Sequence, residues 1–442
     1  MKEKNSSALE DFGAKPVPDD QRKGWFGIGI VYWGIAVCLP AFLVSGMIAG
    51  PAKLGTAALA FIVGAAVLAA VAILTGIIGS KTRFSTALSS KYTFGRYGAY
   101  ILQIVLFFAA WGWFGVQLGF MAEGLGSGGL AFVAGGAVPV WVFKVIGGIL
   151  MTLTAMFGFK AIEKLSIIAI PLLLITMLAT IFSVYRGDTS LAEVASVSTE
   201  GAMPFGVAVS IVIGSFILGA IISSDITRYA KSKSAAGVGM GFGMFIGFPV
   251  VMILAGIMVK GAGGEIDFSK VMLANNSGFW VVLAVITIIL AAWTTNDNNL
   301  YSGALSLNAM FPKVKKWLIT LASGIIGLVL ALLGINTAAG FQTFLGLLAI
   351  FIPPAAAVMI IDYYFFKGDK NMAYESDKLD GVKNFRPIPF IVWAVGIGFG
   401  FLVQYTAVRI TTITALDTII VAAVLYFIVM LASGQKIRSK AA

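Results

Sequence analysis

Apolar runs of about 20 residues recur along the whole chain, and the charged residues collect in short islands between them. A run of that length crosses ~30 Å of hydrocarbon as an α-helix. On length and apolarity alone, membrane helices are predicted at 25–48, 55–79, 99–122, 138–158, 162–184 and 204–223. Six more follow at 236–259, 279–303, 317–335, 341–365, 387–406 and 413–433, which makes the chain an all-α polytopic membrane protein of twelve spans.

Composition agrees with the pattern. Of 442 residues 59% are hydrophobic and 12% charged, with a mean hydropathy of +0.95, which a water-facing surface could not tolerate. The stretch from Met1 to Lys23 is polar and holds Pro16, Pro18, Asp19 and Asp20, so it reads as a cytosolic tail and not as a cleavable signal. A single cysteine, Cys38, excludes an intrachain disulfide. With no histidine, chemistry that depends on imidazole is excluded, and no P-loop, cysteine pair or Gly-x-Ser-x-Gly elbow is present. An ATP-driven pump is thereby disfavoured.

Charge orients the spans. Basic residues gather in alternate segments, among them Lys15, Arg22, Lys23, Lys81, Arg83, Lys91, Arg96, Lys160, Lys164, Arg228, Lys231, Lys233, Lys313, Lys315, Lys316, Lys383, Arg386 and Lys436. The other set keeps only Lys53, Lys144, Arg186, Lys260, Lys270 and Arg409. Basic residues mark the cytoplasmic side, so both termini are expected inside, in a cell inner membrane. The net charge of +11 is then a topology signal that needs no nucleic-acid partner. Lipid and a small-molecule substrate are the expected partners, and no protein partner is called for.

Function in such a bundle sits where helical hydrogen bonding is interrupted, because backbone groups there become ligands. Two segments have that look: Gly34 to Pro40 in the first span and Gly214 to Gly219 in the sixth. Standing five spans apart, they divide the chain into two five-helix repeats of inverted topology, residues 25–184 and 204–365. Spans at 387–433 are appended, and the tails are 1–24 and 434–442. The plain alternative is that these glycines only let helices pack closely.

In the third span Trp113 and Gln117 share a helical face. An indole platform beside an amide suits a flat heterocycle that stacks and is read along its edge. Trp111 reads better as packing, and a structural interhelical bond is the alternative for Gln117. The eighth span holds Ala291-Ala292-Trp293-Thr294-Thr295-Asn296-Asp297-Asn298-Asn299, a polar string expected to face a cavity or a partner. Thr294 and Thr295 supply hard hydroxyl oxygens of the kind Na⁺ prefers, and Ala291 a carbonyl one turn earlier. Back-bonding to the helix's own carbonyls is the alternative. Asp297 could instead pair with a base or carry a proton. Asp225 and Arg228 read as a structural ion pair or gate element, and Pro353-Pro354 as a kink.

Four motifs then align in order across nearly the whole chain: Gly112-Trp113-Phe114-Gly115, Gly214-Ser215-Phe216-Ile217, Trp293-Thr294-Thr295-Asn296-Asp297-Asn298 with Leu300-Tyr301, and Ile352-Pro353-Pro354 leading to Asp362-Tyr363. On these the sequence resembles the nucleobase–cation symporter-1 family, and within it the bacterial cytosine permeases. The resemblance implies a leucine-transporter-type fold, alternating access, and a ring held between Trp113 and Phe216. It also implies polar contacts from an unwound backbone near Ser215 and from Asn296, and a sodium site of the Gly34 and Val37 carbonyls with Ala291, Thr294 and Thr295. Ala110 and Leu218 stand where cytosine permeases carry glutamine and serine, while Gln117 matches the hydantoin transporters. Cytosine, purines, pyrimidines, hydantoins, allantoin and thiamine-precursor pyrimidines all remain open as substrates, with proton coupling as the alternative to Na⁺. A channel would need a continuous polar pore and a membrane enzyme an acid–base or nucleophilic group, and neither is evident. No cofactor beyond the coupling ion is expected.

Overall fold

The computed structural model describes residues 16–126, 138–157, 159–187, 190–366 and 381–437. Most of the N-terminal tail, Gly158 at the end of the fourth predicted span, and the last residues of the C-terminal tail lie outside them.

With no water in the hydrocarbon layer, backbone groups must bond within their own segment, and the described chain is helical almost throughout. Among the described residues nine helices are long and apolar enough to span: Leu54–Thr82, Ala99–Gly124, Ile162–Val184, Phe205–Thr227, Lys233–Gly261, Phe279–Met310, Thr343–Phe366, Pro387–Tyr405 and Thr414–Ala432. The bent pair Trp25–Ala36 and Leu39–Ala49 supplies the first position, and the shorter apolar helices Val140–Ala155 and Lys316–Leu332 fall at the fourth and ninth. All twelve predicted positions are therefore occupied by apolar helix. Short helices at Thr86–Phe94, Leu191–Ser196 and Phe268–Ala274 were also not predicted. They are too short to span.

Burial is inverted relative to a water-soluble domain. Phe182 is 72% exposed and Ile168 64%, facing outward, whereas Thr75, Ser223, Gln103, Gln117 and Asn296 are buried. Hydroxyls inside the bundle bond to neighbouring carbonyls and so join helices: Thr75 Oγ1 to Ala220 at 2.7 Å, Ser223 Oγ to Ala72 at 2.8 Å, Ser224 Oγ to the Thr75 carbonyl at 2.7 Å. The third and eighth spans pack along their length, as do the second and sixth.

The N-terminal segment straps one face of the bundle. Lys23 exchanges backbone bonds with Tyr229 and Lys231 (2.5 and 2.9 Å), and its ammonium pairs with Glu163 at 2.8 Å. The last two spans are tied on by a buried cluster. Arg386 takes Asp362 in a two-pronged pair at 2.9 and 3.0 Å, Tyr426 donates to the same carboxylate at 2.6 Å, and Arg386 also donates to the Tyr92 and Thr93 carbonyls. Beneath Pro353-Pro354, which stay inside the tenth span, the chain passes into a π-helical turn, Asp362–Phe366.

Candidate functional site

The first span breaks inside the segment expected to break. Helix Trp25–Ala36 ends at Val37 (φ −83°, ψ 87°), Cys38 is extended (φ −136°, ψ 154°), and Leu39–Ala49 leaves at 62° to the first half. Pro40 sits in the first turn of the second half, where a missing N–H costs nothing. Gly34 serves packing: a Cβ there would lie 2.5 Å from Ser166 Oγ and 2.7 Å from Ser166 Cβ.

The sixth span corrects the expectation of an unwound Gly214–Gly219. Helix Phe205–Ile221 runs through that segment unbroken, and the interruption falls at Ile222 and Ser223, before the turn Ser224–Thr227. Glycine need not unwind a helix in lipid, where the backbone has few other partners. The break falls instead where the Ser223 and Ser224 hydroxyls reach the second span. Ser215 accordingly offers no unwound backbone, and its hydroxyl bonds back to the Val212 carbonyl at 2.7 Å. Gly219 makes room for the Phe216 ring, which a Cβ would meet at 2.3 Å.

Trp113, Ser215, Phe216 and Gln117 are all buried, and Trp113 and Phe216 lie in one core cluster with Cys38. The two rings are braced separately. Phe344 and Phe341 of the tenth span stand edge-on to Trp113, with centroids at 5.4 and 6.2 Å. Phe216 meets Tyr32 edge-on at 6.2 Å and Phe248 at 5.4 Å, and the Tyr32 hydroxyl donates to the Gly219 carbonyl. Gly112 is what admits Phe344, since a Cβ there would fall 2.3 Å from its ring. Phe341 also lines a cavity of about 570 Å³ on the side away from the N-terminal strap, walled by Leu43, Val207, Gly214, Ile266 and Ala349.

Gln117 is the anomaly. Its side chain is fully buried, and neither Oε1 nor Nε2 has a hydrogen bond. Leaving such a group unmade costs ~1–3 kcal/mol. Its polar neighbour is the Cys38 thiol. Tyr32, Phe341 and Phe344 were not singled out in the sequence, and Cys38 was noted only as the lone cysteine. The only signal was their place beside a break or a proline pair.

The eighth span runs unbroken from Phe279 to Met310, and its polar string faces three ways. Thr294 Oγ1 lies 3.0 Å from the Gly34 carbonyl, while Thr295 Oγ1 lies 3.0 Å from that of Ile35 and 3.3 Å from that of Ala291. Thr294 Oγ1 also bonds back to the Leu290 carbonyl at 3.1 Å, so neutral oxygens of the first and eighth spans meet here in two hydroxyl–carbonyl pairs. Ile35 is an unpredicted member, and Val37 sits at the bend with its N–H bonded to Trp33. Asn296 turns to the third and fourth spans, donating to the Phe114 carbonyl at 3.3 Å and to Met151 Sδ at 3.4 Å. It thereby holds the backbone beside Trp113. Asp297 Oδ1 accepts from Thr154 at 2.7 Å, and Thr154 in turn accepts from Trp293 at 2.8 Å. Arg228 reaches the Tyr301 hydroxyl at 2.6 Å, and the Asp225 carboxylate accepts the Thr86 N–H at 2.7 Å.

A bundle of apolar spans, broken at the first and sixth positions, with a buried aromatic-and-amide locus and threonine–carbonyl pairs beside the break, is the architecture of a multi-span membrane transporter. The chain belongs to the family of permeases for cytosine/purines, uracil, thiamine and allantoin, whose profile matches residues 16–397. It is 28% identical over 390 residues to the cytosine permease of Escherichia coli strain K12, covering 88% of each chain. It is 23% identical to the hydantoin permease of Microbacterium maritypicum, covering 86% of this chain and 81% of that one. Among solved structures it superposes on Mhp1, a nucleobase-cation-symport-1 family transporter in a closed conformation with bromovinylhydantoin bound, at a TM-score of 0.81, 21% identity and 98% coverage of both chains. A Na⁺-coupled sialic acid symporter gives a TM-score of 0.70 at 12% identity, covering 99% of this chain and 96% of that one. The fold is the leucine-transporter type.

Proposed function

We propose that the protein is a secondary active transporter that imports a nucleobase-like heterocycle across the inner membrane by alternating access, coupled to Na⁺. The observation that carries this reading is the buried Gln117 amide, unpaired at both polar atoms and one turn from Trp113. Such an amide matches a ring edge bearing a donor and an acceptor, while Trp113 and Phe216 offer faces for the ring. The two permease relatives carry heterocycles of this kind by name. Asn296 positions the third span through Phe114, and Ser215 keeps the sixth span regular beside Phe216.

The gathered oxygens of Gly34, Ile35, Ala291, Thr294 and Thr295 fit Na⁺, a hard cation that neutral oxygens can surround without a carboxylate. Val37, at the bend, joins this set when the first span shifts. An ion there bridges the two halves of the site, so sodium raises substrate affinity and substrate raises sodium affinity by the same factor. The breaks in the first and sixth spans support repeats at 25–184 and 204–365, with 387–433 appended and the tails 1–24 and 434–442 in the cytoplasm.

The test is uptake of labelled cytosine in cells expressing the protein, competed by bases and hydantoins, with Na⁺ or choline outside. Saturable uptake that needs Na⁺ is expected. Uptake indifferent to Na⁺ and to Thr295→Ala, yet lost in Asp297→Asn, would make it a proton symporter.

A further inference from the structure

The loop 406–413 joins the last two spans on the side away from the N-terminal strap. It is fixed from within. The buried Asp417 carboxylate accepts the N–H groups of Ile410 and Thr411 at 3.1 and 2.8 Å, and the Thr414 N–H donates to Ser210 Oγ of the sixth span at 3.1 Å. Arg409, next to the first of these bonds, is thereby held at the rim of the cavity of about 570 Å³. Among the described residues it is the one charged side chain in the cavity wall, and it has no carboxylate partner. Its neighbours along the chain are apolar and turned outward: Tyr405 is 77% exposed, Val408 48% and Ile410 54%. A tyrosine closing a span, followed by bare apolar side chains around one cation, is the composition of a segment at the lipid boundary, where tyrosine settles and basic groups meet headgroups. Behind Arg409 the cavity is apolar, lined by Leu345, Gly346 and Ala349 of the tenth span and by Val207 and Ile211 of the sixth. At Gly346 a Cβ would meet nothing within 4 Å, so this wall borders open space.

We infer that the cavity holds a phospholipid of the adjoining leaflet, with its phosphate on Arg409 and an acyl chain between the sixth and tenth spans. A guanidinium offers two parallel N–H groups to phosphate oxygens, and Gln404 and Thr412 at the same rim add donors. The wall carries no carboxylate to take a choline ammonium, so an anionic headgroup such as phosphatidylglycerol is preferred to phosphatidylcholine. The chain packs against Phe341, whose ring stands edge-on to Trp113, and against Gly214, two residues before Phe216. The lipid thus braces the two spans that back the aromatic faces. This site is independent of which heterocycle the protein carries.

The test is native mass spectrometry of the purified full chain, delipidated in detergent and titrated with dioleoylphosphatidylglycerol, with dioleoylphosphatidylcholine, oleate and inorganic phosphate as comparisons. A phosphatidylglycerol retained more tightly than phosphatidylcholine, and not displaced by oleate or phosphate, is expected. Arg409→Gln should weaken its retention by about tenfold or more, the worth of a charge-assisted hydrogen bond. Gly346→Leu fills the open space and should weaken retention similarly, with the melting temperature of the lipid-free protein unchanged. A phosphatidylglycerol with a photoreactive group at the end of its acyl chain should label the sixth and tenth spans of the wild type and lose that label in Gly346→Leu. Equal retention of the two lipids, or of phosphatidylglycerol by wild type and Arg409→Gln, overturns the headgroup site. Displacement by inorganic phosphate or oleate marks a site for a soluble anion or a fatty acid and overturns the phospholipid. Labelling of other spans only puts the chain elsewhere and overturns the cavity as its place. Where Gly346→Leu melts lower, the wild-type labelling pattern decides.

Discussion

Gly34→Ala probes the oxygen cluster through its packing. The added Cβ would stand 2.5 Å from Ser166 Oγ and 2.7 Å from Ser166 Cβ, with Ser166 Cα at 3.4 Å. A Cβ contact needs more than 3 Å, so the first and fifth spans must part by close to an ångström. Overpacking of this kind costs ~1–3 kcal/mol. The Gly34 carbonyl rides on the displaced residue, and its 3.0 Å approach to Thr294 Oγ1 is lost with it. If that strain falls on the sodium-competent geometry, the apparent sodium affinity drops by roughly 5- to 140-fold at 1.4 kcal/mol per tenfold. The assay is Na⁺-dependent stimulation of base binding to purified protein. Ser166→Ala keeps the obstructing Cβ and should not rescue Gly34→Ala, whereas Ser166→Gly removes it and should. Full sodium response in Gly34→Ala, or equal rescue by Ala and Gly, would refute the reasoning.

Three further outcomes are expected. Trp113→Ala removes the stacking face and should weaken base binding by ~1–3 kcal/mol with expression retained; wild-type affinity would detach the indole from the substrate. Phe216→Ala should weaken binding similarly, while Phe216→Tyr is tolerated, and equal damage from both would mark Phe216 as a packing residue for Tyr32 and Phe248. Asp362→Asn strands the buried Arg386 charge and should lower stability by ~3–5 kcal/mol, read as a lower melting temperature in detergent. Asp362→Asn combined with Arg386→Met should melt higher than the single variant, and a single variant as stable as wild type would remove the cluster's role in fastening the last two spans.

Much of the architecture was legible in one dimension. Lipid imposes a single length and a single bonding rule on every crossing segment, so the spans follow from apolar runs, and the break in the first span from Gly34 and Pro40 standing so close together. The same glycine argument failed in the sixth span. Glycine permits close packing as readily as unwinding, and only the neighbour tells which. At Gly219 the neighbour is Phe216 in its own helix, and at Ser223 it is a carbonyl of the second span. The polar string of the eighth span announced that it must face something, and its residue types named the hydroxyl oxygens for a cation.

What each of those side chains faces was decided in three dimensions. Successive residues of a helix point about 100° apart, so neighbours in the string diverge. Thr294 and Thr295 meet the first span, Asn296 the third and Asp297 the fourth. The carbonyl of Ile35 joins the cluster because of the angle at which the two spans cross, which no residue type encodes. By itself, then, the sequence determined the class of solvent, the crossing segments and the residue chemistry available, because these depend on local composition and length. The tertiary structure alone decided that Gln117 is left unpaired beside Cys38, that Phe341 and Phe344 back Trp113, and that Ser166 bears on Gly34. Each of these depends on which helix faces lie against one another, and that is set by the packing of the whole bundle.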